Sequence, residues 1–87
     1  MPIEPREEFR TLDQAAIEAA LADPSPHNPI ALEVARLIEG YTANFAEHCR
    51  QIGRIPAAIL RSKPRWPIEA VAMRLTTETI QTELAGR

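Results

Sequence analysis

His27, His48 and Cys49 are the residues with which this chain could ligate a metal or attack an electrophile. Their spacing argues against both. His48 and Cys49 are adjacent, and neighbouring side chains on a helix point about 100° apart. They therefore neither chelate one ion nor face each other as nucleophile and base. His27 falls in a proline-rich stretch, and no second cysteine or i, i+4 histidine completes a ligand set. Glu7 and Glu8 pair two carboxylates, but at the start of a helix negative charge suits the macrodipole. The three glycines are isolated, so no phosphate-cradling loop exists. The sequence assigns no catalytic residue, no metal site and no cofactor, and the expectation is that the protein is not an enzyme.

Recognition chemistry is better represented. The stretch RSKPRWP, Arg61 to Pro67, holds three cations, two prolines and the only tryptophan. Both prolines remove backbone donors, and each restricts the residue before it to extended conformations. Residues 62–66 therefore read as a stiff basic connector. Trp66 falls at the N-cap of the next helix, has no oxygen to cap with, and is expected to pack over the end of the core. The functional alternative is a recognition loop in which Arg61, Lys63, Arg65 and Trp66 contact a partner.

Charge is unevenly distributed. Residues 1–48 carry nine acids against three basic residues, a net of −6, and residues 49–87 carry seven basic residues against three acids, a net of +4. Such asymmetry can signal an anionic partner. Six cations (Arg50, Arg54, Arg61, Lys63, Arg65 and Arg74) face a single acid, Glu69, between positions 50 and 74. They make nucleic-acid binding the alternative function. Residues 54–84 have the element order of a helix-turn-helix, but not its tight turn, and PIEAVAMRL lacks the polar readers expected at a recognition-helix N-terminus. A protein partner with an acidic surface is the leading expectation.

The elements that would hold these residues are helical. No period-two alternation or Asn-Gly hairpin turn occurs. Phe9, Leu12, Ala16, Ile17, Ala20 and Leu21 predict a first helix from about Arg6 to Ala22, with Thr11 and Gln14 as a possible capping box at a later start. A proline-rich linker, 23–29, comes next. Asn28 as N-cap and Pro29 at the first position open a long central helix. Ile30, Val34, Leu37, Ile38, Tyr41, Phe45, Cys49 and Ile52 trace its apolar face for six turns, and Gly53 is placed to end it in a left-handed conformation. Gly40, unfavourable mid-helix by about 1 kcal/mol, predicts a close approach or a bend. IPAAILRS makes a short third helix from Pro56. A fourth runs from Pro67 to about Leu84, with Ile68, Val71, Ala72, Leu75, Ile80 and Leu84 inward and Thr76–Thr79 on the solvated side.

The expectation is an all-α bundle of about four helices, one of them short, forming a single domain over 1–87. One cysteine permits no intrachain disulfide, which favours a reducing, cytoplasmic setting. The longest apolar run, IPAAIL, is too short for a membrane span or a signal sequence. A chain of 87 residues buries only about 60–65% of its unfolded surface. Self-association through Leu37, Tyr41 and Phe45 is therefore expected to help cover the long helix. The function that fits is protein–protein interaction, as an adaptor, an assembly subunit or an inhibitor.

Overall fold

Asn28 and Gly53 bracket the dominant element. In the computed structural model, which describes residues 3–87, the Asn28 carboxamide oxygen accepts from the N–H groups of Ile30 (3.1 Å) and Ala31 (3.5 Å). Pro29 occupies the first turn, and Gly53 ends the rod at φ 74°, its N–H donating to the Cys49 carbonyl at 2.8 Å. Between them α2 is one continuous rod in three parts. It is α-helical over Pro29–Tyr41, π-helical over Thr42–Ala46 and α-helical again over Glu47–Ile52. Twenty-four residues at 1.5 Å each come to about 36 Å, against a longest molecular dimension of 35 Å. The rod spans the molecule.

The π-helical part departs from the regular helix expected. Its wider turn retards the phase of everything after it by roughly one residue, about 100°. Ile52, expected on the buried face, is consequently 43% exposed, while Ala46 and Cys49 are fully buried. Gly40 has a simpler explanation. A Cβ there would meet the Ile3 side chain at 3.2 Å, so glycine admits the N-terminal segment against the rod.

Before the rod, the first helix is shorter than expected. Residues Glu7–Phe9 form a 3-10 turn, and α1 covers Gln14–Ala22. Asp13 takes the cap that Thr11 was expected to provide, accepting from the Ala16 N–H at 2.8 Å. The linker between α1 and α2 is closed by its own side chains: Asp23 accepts from the Ser25 N–H, Ser25 from the His27 N–H, and the Asn28 amide donates to the Ala20 carbonyl.

Beyond the rod, α3 is a single turn, Ala57–Leu60, with no buried residue. The last helix, α4, covers Pro67–Ala85 and packs along α2. Among the described residues there is no strand, and the fold is an all-α bundle. Its core has two parts. The larger joins Ile17 of α1, Val34, Leu37 and Tyr41 of α2, and Ile68, Val71 and Ala72 of α4. The smaller joins Ala46, Cys49 and Ile80, and the half-buried Phe45 touches both. Thr76 corrects the expectation of a solvated face. It is buried because its hydroxyl donates to the Ala72 carbonyl at 2.9 Å, leaving only a methyl group to pack.

Candidate functional site

The basic connector runs from the end of α3 into α4. Trp66 precedes Pro67 in an extended conformation (φ −126°, ψ 150°), as a residue before proline must, and its half-buried ring packs against the larger core cluster. Two guanidinium groups lie over that ring, Arg10 at 4.9 Å and Arg65 at 5.0 Å from its centroid. Arg61 and Lys63 are exposed, and the Arg61 Nε reaches only back to the Ala57 carbonyl at 3.4 Å.

The six cations divide into two groups. Arg50 is held by Glu83 through two bonds of 2.7 and 3.0 Å and lies 3.7 Å from Glu47; Arg74 pairs with Glu78 at 3.5 Å. Arg54, Arg61, Lys63 and Arg65 have no acidic partner among the described residues. No acid occurs between Arg54 and Ile68, and the first to follow, Glu69, feels Arg65 without closing an ion pair with it.

Beside the connector lies a groove. One cavity of about 440 Å³ sits between α2, the connector and α4, with Tyr41, Phe45, Ile59, Pro64, Glu69 and Met73 in its wall. A second, of about 370 Å³, adjoins it between α3 and α4 and reaches Thr77 and Gln81. The two share Ile59, Ser62, Pro64 and Met73 and so lie side by side along one face of α4. The π-helical turn supplies Asn44 and Phe45 to its wall, a placement in keeping with the frequency of such turns at functional sites.

Two polar groups in that wall are incompletely satisfied. The Tyr41 hydroxyl is buried and makes no well-formed hydrogen bond, reaching only weakly toward the Glu69 carboxyl. Burial, and then the nearby charge of Glu69, push its pKa well above the usual tyrosine range. The Glu69 carboxyl is pushed up by burial and by Glu4, against the pull of the Tyr41 hydroxyl and Arg65, and makes no ion pair.

Of the residues expected to mediate self-association, Leu37 and Tyr41 are 0% and 5% exposed and have no surface to give to a second copy. Their side chains fill the larger core, and only Phe45 stays half exposed, at the groove. His27 and His48 are exposed, whereas Cys49 is buried and its thiol is pushed up by that burial. Among the described residues no three His, Cys, Asp or Glu side chains come together in a metal-holding group, and no helix is long and apolar enough to cross a membrane.

One cluster escaped the sequence analysis. Glu33 is 2% exposed and accepts from the Arg36 Nε at 2.9 Å, from its Nη2, and from the Arg6 backbone N–H at 3.3 Å. Burial alone would raise its pKa, but these bonds and the two guanidinium charges outweigh it and hold the carboxyl below the usual range. Arg36 also donates to the Glu4 carbonyl at 2.9 Å, so the cluster fastens the N-terminal segment to α2. The i, i+3 spacing of Glu33 and Arg36 was the available signal. Compared with family models, with curated proteins and with solved structures, the chain matches none.

Proposed function

We propose that this chain is a small non-catalytic helical module that works by binding an acidic surface of a partner protein through its connector face. The observation that carries the proposal is the acid-free run from Arg54 to Ile68, whose four cations close no ion pair among the described residues and of which Lys63 lines a largely apolar groove. Exposed rim charges of this kind steer encounter and select partners more than they add affinity. Adaptor, assembly subunit and inhibitor all use such a face.

The same four cations favour a second reading, contact with a nucleic-acid backbone. Against it, Arg50 and Arg74 are engaged by carboxylates, and Trp66 is packed on the core beneath two guanidinium groups instead of being free to stack. Affinity capture from the native host, with and without nuclease, separates the readings. A protein retained after nuclease treatment, and lost on charge reversal at Lys63 and Arg65 (Lys63→Glu with Arg65→Glu), supports the module. Capture that disappears with nuclease, together with duplex affinity falling with a log–log salt slope of about −0.9 per phosphate contacted, supports the alternative.

A further inference from the structure

Any partner that meets the connector face also meets the groove beside it. The groove has the composition of a receiving surface. Phe45, Ile59, Pro64 and Met73 give it an apolar floor, and the first cavity alone, about 440 Å³, has the volume of a ligand-sized pocket. One of its walls, α3, contributes no buried residue to the fold, and Leu60 on that turn is 56% exposed. A nucleic-acid backbone has no side chain with which to fill such a groove. Peptide side chains do.

The Tyr41 hydroxyl provides an independent pointer. It belongs to a side chain more than nine-tenths buried that lines the groove wall, and it makes no well-formed hydrogen bond, reaching only weakly toward the Glu69 carboxyl. A buried donor left unmade is costly, and a ligand acceptor would relieve it. Glu69 beside it is an acceptor without an ion pair. The N–H and C=O of one extended residue, which point the same way, can meet both, the carbonyl accepting from the phenol and the N–H donating to the carboxylate. Charge then decides what surrounds that residue. Lys63 lines the groove and belongs to a run, with Arg61 and Arg65, that closes no ion pair, so acidic residues flanking the inserted side chains complement that side.

We infer that the groove between the π-helical turn, α3 and α4 receives an acidic peptide segment of the partner protein, which seats large apolar side chains on Ile59 and Met73 and the N–H and C=O of one extended residue against Tyr41 and Glu69. This inference rests on the module reading and names its partner's chemistry. Glu78, the acid of the second cavity, is already engaged by Arg74, and Glu69 is the acid of the first, so the segment's own acidic residues belong on the Lys63 side of the groove, away from Glu69.

The test is selection from a phage-displayed library of random twelve-residue peptides on the full chain, with Ile59→Glu as the counter-selecting protein. Ile59 lines both cavities but also packs at the edge of the smaller core cluster, so the exposed Lys63→Glu serves as a second variant that leaves the core intact. A circular-dichroism melt checks that each folds. Enriched clones should carry net negative charge around one or two large apolar residues. A synthetic peptide of that sequence should lose at least about tenfold in affinity on Ile59→Glu or on Lys63→Glu, and a smaller factor on Tyr41→Phe. Enriched peptides that are basic, that bind Ile59→Glu equally well, or that fail to appear would overturn the inference. The host partner distinguishes the two failures. Retention by Ile59→Glu with loss on charge reversal at the rim leaves the module reading standing and removes the groove from it.

Discussion

Tyr41 combines two roles that usually conflict, a core aromatic and an unsatisfied donor. Its ring packs in the larger cluster and lies 5.5 Å from that of Phe45, while its hydroxyl is buried without a well-formed hydrogen bond. Removing the oxygen therefore removes a penalty and, with it, only the hydroxyl's weak pull on Glu69. Tyr41→Phe should leave urea-measured stability unchanged or raise it by about 1 kcal/mol; a loss of that size would mean that the hydroxyl is satisfied in solution. The sequence showed Tyr41 as an apolar-face residue, but periodicity carries no information about whether a hydroxyl at that position finds an acceptor. Glu33 was hidden for a related reason. A glutamate beside Val34 reads as a solvated neighbour of the stripe until the N-terminal segment, 27 residues away, folds back to cover it.

Among the elements, those with local causes were legible and those with tertiary causes were not. Asn28, Pro29 and Gly53 mark the ends of α2 through bonds made within a few residues, and each occupies its expected position. The π-helical turn has no comparable local signature, because TANFA suits an α-helix equally well. It acts as a one-residue insertion that brings Ala46 and Cys49 inward. Deleting the exposed Ala43 should therefore convert the segment to a regular α-helix without rotating Glu47–Ile52 out of place. The variant should keep a cooperative melt, with a stability change near 1 kcal/mol and a shift of about 4–8 °C. Deleting the exposed Ala35 instead turns Leu37 and Tyr41 away from the core by about 100° and should abolish the folded state. Equal damage from the two deletions, monitored by circular dichroism, would sink this account. The connector is the other element whose nature the sequence left open. Trp66→Ala should destabilise by about 2 kcal/mol, below the 3–5 kcal/mol of a fully buried aromatic, because the ring is half covered. Arg65→Ala should cost no more than about 0.5 kcal/mol for its exposed contact with that ring.

At the scale of the molecule, the acids oppose one another across the pH range. Glu69 has a raised pKa in the folded chain, so on acidification from neutral pH the folded state takes up this proton before the unfolded state does. Stability rises with falling pH there. Glu33 and Glu83 are held low by arginine, so below the ordinary 4.5 the unfolded chain takes up their protons first and stability falls as pH drops through their folded values. Tyr41 closes the alkaline side. Its phenol resists ionisation when folded, so stability declines above the ordinary tyrosine value of 10. Melting temperature should thus peak in mildly acidic buffer, near about pH 5. Glu69→Gln should flatten the rise between neutral pH and that peak, and Glu33→Gln should flatten part of the fall below it; unchanged profiles for both would refute the assignment. The half-to-half charge asymmetry visible in the sequence is only partly neutralised in the fold. Arg50 reaches back to Glu47 in the acidic half, but its strongest bonds are to Glu83 in its own half.

The division of the core on either side of the π-helical turn also implies an order of opening in time. The smaller cluster has three buried residues, Ala46, Cys49 and Ile80, and leans on α3, which is itself uncovered. It should open and close many times for each unfolding of the whole chain. Cys49 is the clock for that motion, since a thiol with no exposed surface reacts only while its surroundings are parted. Its labelling by a small disulfide reagent should be nearly insensitive to low urea, because a local opening exposes little surface, and should acquire the full denaturant dependence only close to the unfolding midpoint.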